Sequence, residues 1–68
     1  MKKLTKSNAS EIESNYLDLI EKRNTSEFGS KSYLNADNKI NAFDAFYSEQ
    51  VFGDMDHSFT ECLEEFNK

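Results

Sequence analysis

His57 and Cys62 are the only imidazole and the only thiol in the sequence. Nucleophilic catalysis needs such a pair within hydrogen-bond reach, with a third group orienting the base. Five residues separate them, which on a continuous helix puts them on different faces. Cys62 also shares an apolar stripe with Phe59, Leu63 and Phe66, where a buried thiol is inert packing. His57 stands beside Asp54 and Asp56 and reads as a surface histidine. Zinc takes three or four N, S or O ligands, and one His and one Cys leave only carboxylates to complete a set. Gly29 and Gly53 are too far apart to form a phosphate-cradling loop. A chain of 68 residues is also short for enclosing a deep pocket. The expectation is a non-enzymatic protein with no metal or cofactor.

Charge is the stronger signal. Between Ile40 and Asn67 there is no Lys or Arg, while Asp44, Glu49, Asp54, Asp56, Glu61, Glu64 and Glu65 all fall there. Thirteen acids against eight bases give the whole chain a net charge of −5. Such a surface repels nucleic acid and anionic lipid, so neither is an expected partner. The one basic patch is the head formed by Lys2, Lys3 and Lys6. In Phe43-Asp44-Ala45-Phe46-Tyr47, aromatics flank an acid, a pattern suited to an interface whose rings fill pockets and whose carboxylates meet Arg or Lys. The expected partner-binding set is therefore Asp44, Phe46, Glu49, Asp54, Asp56, Glu61, Glu64 and Glu65. Phe46 would be its apolar anchor. The expected partner is a protein with a basic surface, such as a nucleic-acid-handling enzyme whose groove the carboxylates block by standing in for phosphates. Small acidic inhibitors of the phage type have this size and charge. Seven lysines against one arginine, with seven asparagines, fit an AT-rich coding source of that kind. The competing explanation is a solvated acidic face that only keeps a small protein soluble. A second alternative is a self-associating module, with Phe46 and Phe52 buried across the two-fold axis of a homodimer.

Asn35-Ala36-Asp37-Asn38-Lys39-Ile40-Asn41-Ala42-Phe43-Asp44 resembles the latter part of a calcium loop of the dockerin or EF-hand kind. That resemblance implies Asn35, Asp37 and Asp44 as ligands and Ile40 as the apolar position. Tyr33 in the first ligand position and Asn38 in place of the glycine depart from the pattern. A second window from Asp54 to Glu65 offers Asp54, Asp56, Ser58 and Glu65, with Phe59 and Glu61 departing from it. A calcium-binding module with degenerate loops is the third alternative.

The elements that would position these residues follow from periodicity. Ser10-Glu11-Ile12-Glu13 fits a capping box, and Ile12, Tyr16, Leu19 and Ile20 then mark one helical face, predicting a helix near 11–24. Ala36, Ile40, Phe43, Tyr47 and Val51 keep helical spacing behind Asn35 or Asp37 as cap, and Gly53 suits a C-terminal stop, predicting a helix near 37–52. Asp56 or Ser58 caps a third helix near 56–67, whose Ser58 to Glu61 run is another capping box. The predicted fold is a small all-α three-helix bundle with an irregular 25–35 connection, on which Phe28, Tyr33 and Leu34 pack toward the core. Residues 1–7 read as a basic mobile tail and 8–68 as a single domain. One cysteine makes no intramolecular disulfide, and no apolar stretch follows Lys2 and Lys3 as in a secretion leader. A cytoplasmic setting is expected.

Overall fold

A computed structural model describes residues 1–68. It contains α1 (Ala9–Thr25), α2 (Lys31–Phe52) and α3 (Phe59–Phe66), and no strand. The protein is a small all-α three-helix bundle in which α2 packs against both neighbours. No helix is long and apolar enough to cross a membrane.

Only 10 of the 68 residues are buried, so each core side chain carries a large share of the packing. Four rings form the centre. Tyr16 of α1, Phe43 and Tyr47 of α2, and Phe59 of α3 stand 4.9–5.2 Å apart between centroids in tilted and edge-on pairs. These are favoured geometries for aromatic quadrupoles, and such rings bury more area than aliphatic side chains. Leu4, Ile12, Ile40 and Cys62 complete the cluster.

The helix ends differ from the expected ones for local reasons. α1 starts at Ala9, so Ser10 lies inside the first turn and its capping box does not form. Asn8 is the N-cap, but its side chain turns back to the preceding segment, accepting from Thr5 N–H at 2.8 Å. α2 starts at Lys31 rather than 37. Gly29, at φ 81°, reverses the chain, and Ser30 Oγ then accepts from Tyr33 N–H at 3.2 Å. Asn35 and Asp37 therefore sit within the helix, where Asp37 meets Arg23 of α1 at 3.1 Å. The 25–35 connection shrinks to residues 26–30. Its Phe28 is 85 % exposed, against Tyr33 only, and Leu34 is exposed as well, so neither packs on the core as expected.

Gly53 ends α2 at φ 78°, with its N–H bonded to Glu49 C=O. α3 begins at Phe59, with Ser58 as the cap.

The basic tail expected over residues 1–7 is docked instead. Leu4 is 2 % exposed and belongs to the core, because Gln50 of α2 satisfies both of its main-chain polar groups.

Candidate functional site

The seven acids among the expected site residues separate into two groups, with Phe46 apart from both. Asp44 and Asp54 are half-buried: Asp44 ties α3 to α2, and Asp54 ties the 53–58 turn to α2. Asp44 Oδ1 accepts from Phe59 N–H at 2.8 Å, capping α3 from a neighbouring helix. It also reaches α1: burial first, and then the Asp44 carboxylate, push the Tyr16 phenol above its ordinary value. Asp54 Oδ1 is the hub of the 53–58 turn. It accepts from Ser48 Oγ at 2.9 Å, from Asp56 N–H at 3.0 Å, and from His57 Nδ1 at 2.8 Å. An ionised carboxylate only accepts, so Nδ1 is the protonated ring nitrogen in this pair.

These bonds set the electrostatics of the turn. The Asp56 N–H, then His57 and Ser48, hold the Asp54 carboxyl below its ordinary value. The hydrogen bond to Asp54, opposed by partial burial, raises the His57 imidazole above its ordinary value. The ring also lies flat on Phe52, at 3.8 Å and 12° between planes. Serine, histidine and aspartate thus meet at one point, but their connections differ from those of a catalytic triad. Ser48 Oγ is buried, donates to Asp54, and accepts from the His57 main-chain N–H rather than from the ring. This arrangement locks a turn.

The second group faces solvent. Glu49, Asp56, Glu61, Glu64 and Glu65 are exposed. Glu61, Glu64 and Glu65 follow i, i+3, i+4 spacing, which places them together on the face of α3 away from Phe59 and Cys62. Glu65 pairs with Lys68 Nζ at 2.9 Å; Glu49, Asp56, Glu61 and Glu64 have no cation at ion-pair distance. Phe46 is half-buried, with its ring edge-on to Tyr47, and it lines a shallow groove with Lys3, Glu49 and Gln50. It is therefore flanked by the N-terminal segment rather than standing free.

No cluster of three or more His, Cys, Asp or Glu forms a metal-binding group. The Asn35–Asp44 window is continuous helix within α2, whereas a calcium loop must curl its ligands around one point. In the second window, Asp54 and Ser58 are engaged by the turn and the α3 cap.

Sequence reasoning missed Leu4, Ser48 and Gln50. Leu4 carried a signal, being an apolar residue between lysines; Ser48 and Gln50 are mid-helix polar residues with none. No protein-family model matches this chain, and no curated protein or solved structure matches it either.

Proposed function

We propose that this chain is a non-enzymatic binding module that docks the outer face of α3, together with Glu49 and Asp56, on a basic surface of a protein partner. The observation carrying this reading is that Glu49, Asp56, Glu61 and Glu64 are exposed without cations, in a stretch that has no Lys or Arg from Ile40 to Asn67. Carboxylates on adjoining turns of a helix stand about 5–6 Å apart at Cβ, forming a line of fixed negative charge that suits a phosphate-binding groove. The partner of choice is accordingly a nucleic-acid-handling enzyme, inhibited by occupation of that groove in the phage manner. A cytoplasmic setting fits the lone free thiol of Cys62.

The test compares the wild-type chain with Glu61→Gln/Glu64→Gln/Glu65→Gln as bait in lysate of the source cell. Each is washed at about 0.1 M and about 1 M salt, where the screening length falls from about 10 Å to about 3 Å. The expected result is a protein held by wild type at low salt, released at high salt and not held by the triple variant. Adding the wild-type chain should also displace nucleic acid from that protein. Equal retention by both baits would leave α3 a merely solubilising face.

A further inference from the structure

Residues 2–5 form a strap whose main chain is held by side chains. Gln50 Oε1 accepts from Leu4 N–H at 2.8 Å, and Gln50 Nε2 donates to Leu4 C=O at 2.9 Å. Tyr47 Oη donates to Lys2 C=O at 2.6 Å. Asn8 Nδ2 donates to Lys3 C=O at 2.9 Å, while Asn8 Oδ1 accepts from Thr5 N–H at 2.8 Å. The Leu4 side chain enters the apolar cluster with Ile12, Phe43 and Tyr47. Lys2 and Lys3 stay exposed over two shallow grooves, of about 280 Å³ and about 460 Å³, that carry Glu11 and Glu49 respectively.

Main-chain hydrogen bonds that are indifferent to side-chain identity, with one apolar pocket and a charged rim, are how peptide-docking sites divide affinity from selectivity. The contacts from α2 come from 45 and 46 residues away, so local chain folding does not dictate them. We propose that the Tyr47–Gln50 face of α2 is a docking groove for a short basic segment bearing a leucine. In this structure the chain's own residues 2–5 fill it, and a partner segment of the same chemistry displaces them. The occupant is argued from the strap already seated there and from Glu11 and Glu49 beside its lysines. The groove shares Glu49 with the surface of the preceding proposal but includes none of the α3 carboxylates, and the peptide experiment below does not depend on them.

The probe is the synthetic peptide Met-Lys-Lys-Leu-Thr-Lys, added to the full-length Leu4→Ala chain, whose strap is weakened and whose groove is intact. The peptide is expected to raise the urea midpoint and helical signal of this variant in a saturable way. Where Leu4→Ala is unfolded alone, the gain of helix on adding peptide is the same readout. Wild type should bind the peptide at least about tenfold more weakly, because its tethered strap competes at an effective concentration in the millimolar range. A peptide with alanine in the fourth position should have no effect, and Gln50→Ala in the Leu4→Ala background should abolish the rescue. No rescue at millimolar peptide, or equal rescue by the alanine peptide, overturns the proposal. A concentration-dependent dimer of wild type that Leu4→Ala lacks also overturns it, because the occupant would then be a second copy's strap.

Discussion

Replacing Asp44 with alanine removes the acceptor that holds the first amide of α3 at 2.8 Å. That amide is one of the four N–H groups a helix cannot satisfy internally. A hydrogen bond to a charged acceptor contributes about 1.5–3 kcal/mol, and Asp44 is only half-buried, which puts it near the lower end, about 2 kcal/mol. Alanine is also the better helix former at this position in α2, which offsets about 0.5 kcal/mol. The net expectation is a loss of about 1.5 kcal/mol. A small domain has a urea m-value of about 1 kcal/mol/M, so the midpoint should fall by about 1.5 M. Asp44→Asn keeps an acceptor and loses the charge at the helix N-terminus, so it should lose only about 0.3–1 kcal/mol.

Urea unfolding followed by helical circular dichroism reads all three proteins. Glu49→Ala is the control, an exposed acid on the same helix with no partner, expected within about 0.5 kcal/mol of wild type. α3 has eight residues, too few to persist without packing, so losing its anchor should lower the whole transition rather than fray one end. Equal midpoints for Asp44→Ala and Glu49→Ala would refute the reasoning and return Asp44 to the solvent-facing set.

Two further outcomes follow from the same junction. His57 is raised from 6.5, chiefly by its hydrogen bond to Asp54, so its contribution is complete below that value and fades as pH rises through the folded value above it. Asp54 is lowered from 3.8, chiefly by the Asp56 N–H, so its contribution is present above that value and lost as pH falls through the folded one. The clasp is strongest between these limits. An NMR titration should give His57 a midpoint above 6.5 that falls back on Asp54→Asn; a midpoint at or below 6.5 in wild type excludes the pair. Cys62 is fully buried and burial pushes its thiol up, so a thiol reagent should label it only through unfolding, and faster in Asp44→Ala. Labelling of wild type as fast as in urea would place the thiol at the surface.

The legible parts of the fold were those set by local spacing. Ala36, Ile40, Phe43 and Tyr47 recur at helical intervals and do line the buried face of α2, and Ser58 and Gly53 act where their residue types suggest. The start of α2 misled because Asn35 and Asp37 resemble caps, whereas Gly29 and Ser30 reverse and cap the chain one to two turns earlier. Asp37 is tolerated inside the helix because Arg23 meets it across α1. Leu4 offered only the weak signal of one apolar residue among lysines, because its burial depends on Gln50, 46 residues away. Charge counting likewise treats all acids alike. It cannot separate Asp44 and Asp54, which accept main-chain N–H bonds, from Glu61 and Glu64, which face water.

The placement of the remaining acids bears on why they are there. Glu61 lies in the first turn of α3, where negative charge favours the helix dipole. Glu64 and Glu65 lie at the opposite end, where the dipole is negative and no basic residue occupies the last turn. Each disfavours the helix by about 0.3–1 kcal/mol, and Lys68 offsets only Glu65. Solubility alone does not require carboxylates at that end, since any exposed position would supply the same net charge. A basic partner surface would neutralise them where the helix carries its own negative pole. Docking of such a surface and stability of α3 should therefore rise together, and the Asp44 anchor on α3, with the Asp54 clasp on the turn before it, would keep the carboxylates arrayed for it.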